Sequence, residues 1–585
     1  MNEAPVLSSE QREANTPAWV TTLAKGGWRS SLLLFLLLTG FYLVTAAGNA
    51  GETDDVYAFA YRAENFSAGY LSDPRLMLYH LSMRLLFVAT GSLGLDISAL
   101  ILMRGFSAVC AAASLLLLMR IAVLDLKLSA TTAILTAVIL GSCYGFWRYA
   151  AEAEVYIPAI LLILLVFHGL SRSLEGVGAA LAVISAFAGW GLLAGLSVLF
   201  YQPSVVPLFF AFPVLLLYRT RILHLSFYLA AGGAVVAGGY LIGFLVFWPE
   251  PLGVDTFKVF LSQRADEFIV PPFSLRTVFV SMIRSAFALG HDFASVNWIF
   301  AFDPIVKLVQ QAFSSNVITE EVFLAKRAGA LVYLPIITLS ALTAISLGVL
   351  KAIWRPSIAF LKRRPFLVVL LWAAINGAII GRLNPAGLEA WIMVFPPLVI
   401  LFAVGVIEPC IKRGNISIVI AFAAALFLHN AVGGMALVWD PANEYDRATG
   451  SWVIAEAQPQ DLVIVSGNAG LVEAMRYLSP AKVALIGAFQ APGVSQSLLE
   501  GDTRGLFTRT RGRDFDDFLL RDLIQETWNT GGRLIFFDGF FKLPKGVKLE
   551  DWPEFNEVKA LRDRLQKVYD APDVGATYLL AAPIK

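Results

Sequence analysis

Apolar residues fill this chain in long blocks, separated by short polar turns that are often basic. A bilayer span needs about 20 apolar residues, and the blocks predict about eleven such spans. They fall at 31–47, 97–119, 130–147, 155–170, 177–198, 202–218, 225–247, 328–350, 366–381, 391–411 and 416–439. Tyr201-Gln202-Pro203 barely separates the fifth from the sixth. The stretch from Gly51 to His80 is too polar to cross a bilayer and too aromatic for an ordinary hydrated loop, which predicts a loop on the membrane surface. After it, LYHLSMRLLFVATGSL spaces its apolar residues as a helix does and breaks at Gly91 and Gly94, the pattern of an amphipathic helix in the interface. Beyond residue 440 the period changes. Short runs at 461–467, 482–488, 533–540 and 576–583 alternate with charged, helix-patterned segments, which predicts a three-layer α/β domain with a mostly parallel sheet.

Composition agrees with a polytopic α-helical membrane protein carrying a C-terminal soluble α/β domain. Of 585 residues, 57% are hydrophobic and 15% charged, against about 25% charged in soluble domains. A net charge of +1 excludes a globally basic nucleic-acid binder. The three cysteines, Cys110, Cys143 and Cys410, lie inside apolar runs and give neither a disulfide framework nor a metal pattern. The first run is preceded by a long, partly acidic stretch, so it reads as a retained anchor and not as a cleaved signal peptide.

Charge sets orientation. With the N-terminus in the cytoplasm, Lys25, Arg29, Arg120, Lys127, Arg172, Arg219, Arg221, the cluster from Lys351 to Arg364, Lys412 and Arg413 all fall on the cytoplasmic side. The expected organisation is a tail at 1–30, a membrane domain at 31–440 and an extracytoplasmic α/β domain at 441–585. The membrane domain would carry an outer loop with surface helices at 48–96 and a long outer segment at 248–327. A bacterial inner membrane is the expected location.

Candidate chemistry gathers on the outer side. Glu52, Asp54 and Asp55 open the first outer loop, where a carboxylate can deprotonate a hydroxyl or bind a divalent cation; Thr53-Asp54-Asp55 can equally cap the helix that follows. Trp147, Arg148, Glu152, Glu154 and Tyr156 crowd a second outer turn, where Arg148–Glu152 can also be a plain turn-closing pair. Arg104 lies inside a span and needs either an acid on a neighbouring helix or a lipid phosphate. The turn RLNPAGLEAW offers Arg382, Asn384 and Glu389, and a helix starting near Pro385 would aim amides at an anion. His80 and His291-Asp292 are the outward histidines, without metal-ligand spacing; His168, His224 and His429 read as structural. The α/β region carries no nucleotide fingerprint and no nucleophile elbow.

The order of these motifs resembles the GT-C superfamily of membrane glycosyltransferases, which includes protein mannosyltransferases, aminoarabinose transferases and bacterial arabinosyl- and galacturonosyltransferase-like proteins. The matching elements are Asp54-Asp55, Asp73-Pro74 through Tyr79-His80, Arg104, Glu152 to Tyr156, Tyr201-Gln202, Asn384-Pro385 and Glu389-Ala390-Trp391. Asp73-Pro74-Arg75 stands where mannosyltransferases carry His-Pro-Pro, and Tyr201 where many relatives carry His.

The resemblance implies transfer of a sugar from a polyprenyl-phosphate donor at the outer face. Asp54 or Asp55 would be general base. Arg104, Arg148 and Arg382 would steady the leaving phosphate. Glu154 would orient the acceptor or a cation, and Glu52, His80, Glu152, Tyr156, Asn384 and Glu389 would complete substrate binding. The long outer segment, with Arg264, Asp266 and Glu267, would form a lid or lipid wall. The acceptor would be a glycolipid, a polysaccharide or a protein. Mg or Mn is a candidate cofactor, with Asp54, Asp55 and Glu154 as its oxygen donors. The rival readings are a lipid or glycolipid transporter or flippase, against which the absence of matched halves counts, and a membrane anchor whose α/β domain is a binding module.

Overall fold

The computed structural model describes residues 27–51, 53, 55–66, 73–175, 180–217, 222–248, 251–262, 273–312, 319–352, 364–501, 509–510, 518–543 and 547–583. Glu52, Asp54, Arg264, Asp266 and Glu267 lie outside them. The chain folds as two compact units: residues 1–47, 71–306 and 328–439 form the first, and residues 48–70, 307–327 and 440–585 the second. The acidic loop and the end of the long outer segment thus fold with the C-terminal residues, a grouping that sequence order does not suggest.

In the first unit every expected apolar run is helical. Among the described residues seven helices are long and apolar enough to cross a membrane: Ala99–Asp125, Tyr156–Leu174, Ile222–Phe247, Gly329–Ala352, Pro365–Leu383, Leu388–Lys412 and Ile416–Val438. Ala130–Ser142 and Tyr144–Ala150 make an eighth if the pair, bent by 73°, is one span. Trp28–Val44, Ser185–Phe200 and Gln202–Leu217 are shorter apolar helices. The chain is extended at Tyr201, and Pro203 falls in the next first turn, where its missing N–H costs nothing. The surface helix is present as Met77–Ser92; it buries Met77, Tyr79, His80 and Met83 and exposes Leu85 and Val88.

Two packing details bear on the site. At the bend, the Asn430 side-chain amide donates to the Ser142 carbonyl at 2.7 Å and the Tyr42 hydroxyl to the Gly141 carbonyl at 3.3 Å. Carbonyls released from a helix ladder in an apolar surround need such donors. The bend redirects Tyr144–Ala150 and so sets where Arg148 points. Helices Ala180–Phe200 and Ile222–Phe247 meet along glycines: a Cβ on Gly191 would lie 2.3 Å from the Tyr228 carbonyl oxygen, the close backbone approach that small residues permit in membranes.

The second unit holds a five-stranded sheet. In chain order its strands are β1 (Leu462–Ser466), β2 (Lys482–Ile486), β3 (Leu534–Phe537), β4 (Gln566–Ala571) and β5 (Gly575–Leu580). The order in space is β2-β1-β3-β5-β4; β1 pairs in parallel with β2 and β3, while β5 runs antiparallel to both β3 and β4. Three strands are therefore parallel and two form an antiparallel edge, where the sequence suggested a mostly parallel sheet. The missed strand is β4. It sits at the edge with Gln566, Lys567 and Asp570 exposed, so it has no apolar run. Gly575, at φ +91°, follows the turn into β5. Leu462, Ile464, Ala484, Leu534 and Phe536 share one core with Val494, Ile524 and Val558 from three helices. The alternating Val463, Val465, Ile535 and Phe537 are buried as well, so both faces are covered.

Gly191→Val should lower the thermal midpoint and the yield in detergent, since overpacking costs about 1–3 kcal/mol. Gly233→Ala, whose Cβ meets nothing within 4 Å, should match the wild type. Equal midpoints for all three proteins would show that these helices do not pack this way.

Candidate active site

The first unit builds a charged cluster at the end of the bent helix. Tyr144–Ala150 is buried throughout, and the turn at 151–155 follows it. The Glu152 side chain is fully buried. Arg104 Nε donates to its Oε1 at 2.8 Å, Arg148 Nη1 donates to its Oε2, and the Ala153 amide reaches Oε1 at 3.3 Å. Burial opposes the ionised form of Glu152, but the charges of Arg104 and Arg148 outweigh it and hold the carboxyl below the usual range. Two guanidinium groups share one carboxylate, so the trio keeps one net positive charge. Arg148 is wholly enclosed, whereas 18% of the Arg104 side chain is exposed. Arg148 therefore anchors Glu152, Glu152 fixes Arg104, and Arg104 is the member a ligand can reach.

Beside it lies a tyrosine–carboxylate neighbourhood. Tyr149 and Tyr156 meet edge to face at 5.7 Å, Tyr156 and Tyr201 at 5.5 Å, and Tyr156 hydrogen-bonds Tyr201. Burial raises the Tyr201 hydroxyl, the Glu389 and Glu154 carboxylates push it further, and Arg75 pulls against them. These phenols stay protonated and can donate. Glu154 is buried, and the Ser107 hydroxyl donates to its carbonyl at 3.4 Å. Two motifs far apart in sequence touch here: the Gln202 amide donates to the Arg75 carbonyl at 3.0 Å, and Arg75 Nε reaches Asp73 at 3.4 Å. His80 is buried in its helix.

Arg382 ends the helix Arg364–Leu383 and is half-buried, as are Asn384 and Glu389. The expected helix near Pro385 starts instead at Leu388 and is four residues long before it tightens. Pro385 lies in a turn, and its carbonyl accepts from Trp391 Nε1 at 3.3 Å.

In the second unit, Asp55 is the N-cap of the helix Val56–Glu64, half-buried, and its side chain makes no capping bond. Thr53 turns its hydroxyl to the Ala50 carbonyl at 2.8 Å. Glu52 and Asp54 lie outside the described residues. Sequence reasoning missed two partners of this helix: the Tyr57 hydroxyl donates to Glu444 Oε2 at 2.9 Å, and Arg447 Nη2 donates to Tyr57 at 3.3 Å. No pattern marks Glu444, one of three acids in a polar link, whose partner lies 387 residues away.

His291 and Asp292 are both buried at the end of the helix Leu275–Phe293, where the ring of His291 packs 5.1 Å from Tyr144. His429 is held between the Ser295 carbonyl and the Thr338 hydroxyl, each at 3.0 Å, and His168 by Asp125 at 2.6 Å. Among the described residues no three His, Cys, Asp or Glu side chains converge as a metal site.

Glu152→Gln leaves two guanidinium groups short of their counter-ion and should cost about 3–5 kcal/mol of stability. The folded carboxyl titrates below the unfolded one. Its contribution is therefore complete above an ordinary glutamate pKa, about 4.3, and fades as pH falls through the lower folded value. Thermal midpoints of wild type and variant should differ by a constant amount from pH 7 to pH 5 and converge below pH 4. Equal midpoints at neutral pH would remove Glu152 as the organiser of the cluster.

No protein-family model and no curated protein matches the sequence. Solved structures do. ArnT of Cupriavidus metallidurans, bound to undecaprenyl phosphate, is similar over 95% of this chain and 98% of its own, at 12% identity and a TM-score of 0.53. An Archaeoglobus fulgidus oligosaccharyltransferase tethered to an acceptor peptide matches over 94% of this chain and 74% of its own, at 13% identity and a TM-score of 0.43. At 12% identity the likeness to ArnT is one of fold, and it extends over nearly the whole chain.

Proposed function

We propose that the chain is a membrane glycosyltransferase that moves a sugar from a polyprenyl-phosphate donor to an acceptor hydroxyl at the outer membrane face. The observation that carries this reading is the fold shared, over nearly the whole chain, with a protein solved with undecaprenyl phosphate. Positive-inside charge placement supports the outer face, with the N-terminus cytoplasmic.

In this mechanism the acceptor oxygen attacks the anomeric carbon, and the bond from that carbon to the phosphate oxygen breaks. The electron pair leaves with the lipid phosphate, and the acceptor proton passes to a carboxylate. Asp55 supplies that base, with Asp54 as its neighbour in sequence. Arg104 takes the developing phosphate charge, because its trio holds a net positive charge fixed in place before reaction. Arg382 is the second cation for the phosphate. Tyr156 and Tyr201 donate to sugar hydroxyls, and Glu154, Asn384 and Glu389 orient the acceptor. A glycolipid, a polysaccharide or a protein can be that acceptor.

Mass spectrometry of envelope glycolipids with and without the gene should reveal one missing sugar and its accumulated lipid-linked donor. Accumulation of that donor only on the cytoplasmic side would favour a flippase. Asp55→Asn should lower transfer by about 10²–10⁴-fold, with unchanged abundance and membrane insertion; transfer at the wild-type rate would sink the assignment of the base.

A further inference from the structure

The second unit contains a fastening that the reaction scheme above does not use. Glu444 lies in the link that follows the last apolar helix, and only 1% of it is exposed. Its Oε2 accepts from the Ala50 amide at 3.1 Å and from the Tyr57 hydroxyl at 2.9 Å, with Arg447 Nε 3.8 Å away. These two donors stand on either side of Asp55, five residues before it and two after. One buried carboxylate thus holds Ala50 and Tyr57, which flank the proposed base in sequence.

The helix that follows is held at its other end as well. The Tyr477 hydroxyl donates to Glu64 Oε1 at 3.1 Å, and the Tyr477 ring stacks on Tyr57 at 5.8 Å. The link itself is locked to the sheet domain, since Asn468 Nδ2, at the start of the helix after β1, donates to Asp446 Oδ1 at 3.2 Å. Tyr445, between the two acids, meets Phe323 edge to face at 5.5 Å. A hydrated loop needs none of this. A carboxylate taken out of water costs free energy unless it is met by donors and a cation, and Glu444 has both.

We infer that Glu444, with Arg447 and Tyr57, is a positioning residue for the acidic loop, so that the C-terminal unit takes part in transfer by setting where Asp55 stands. The inference rests on Asp55 being the base. A misplacement of about 1 Å in a reacting group can cost about 10²-fold in rate, and the fastening resists displacements of that size.

The test uses the full-length protein in detergent, with lipid extract of cells lacking the gene as donor source. Two readouts are taken: amide hydrogen exchange over residues 48–66, and transfer rate against donor concentration. In Glu444→Ala, exchange over 48–66 should speed up while β1, β2 and β3 stay protected. The maximal rate should fall about 10–100-fold at an unchanged half-saturating donor concentration. Glu444→Gln, which keeps an acceptor oxygen, should recover most of the rate. Unchanged exchange, or faster exchange with a wild-type rate, overturns the inference. If Glu444→Ala loosens the whole sheet, Tyr57→Phe decides, because it removes one hydroxyl: a several-fold lower maximal rate supports positioning and an unchanged rate overturns it. A wild type that transfers no sugar refutes the proposed function instead, and exchange over 48–66 then decides on the fastening alone.

Discussion

A carboxylate withdrawn from water must be met by donors or cations, and that single requirement fixes the chemistry-bearing parts of both units. In the first, Glu152 is met by Arg104 from one helix and Arg148 from the preceding one. In the second, Glu444 is met by a backbone amide, a phenol and a guanidinium drawn from both ends of the sequence. Neither acid stabilises by its presence; replacing such ion pairs with apolar groups is often neutral or better. Their effect is specificity. Each dictates which of many similar apolar packings brings its partners together, and each turns a flexible cation or loop into a placed one.

The membrane architecture was legible because a bilayer imposes a length and an absence of charge that sequence displays directly. The expected runs are helical over their described residues, including the pair divided only by Tyr201-Gln202-Pro203, but only seven, or eight with the bent pair, are long and apolar enough to span, against the eleven expected. Four of five strands were legible for a similar reason, being buried on both faces. The fifth, Gln566–Ala571, lies at an edge and reads as polar. The parallel sense of the sheet was half right, since nothing in a short apolar run records the direction of its neighbour.

The site was legible where partners share a turn and obscure where they do not. Arg148 and Glu152 are four apart, across the end of one short helix and the turn that follows it, so their pairing is local in sequence. Arg104 announced a need for a partner by sitting in lipid, and Glu152 fills it 48 residues on. Glu444 announced nothing.

The distance in sequence between Glu444 and its partners has a bearing on the order of assembly. Ala50 and Tyr57 leave the ribosome early, and the carboxylate that fastens them emerges 394 and 387 residues later. Contacts of such separation form last, after the local helices are in place. The acidic loop is thus finished only when the chain is nearly complete. A nascent molecule that stops short of Glu444, however well inserted, carries Ala50 and Tyr57 without the carboxylate that fastens them.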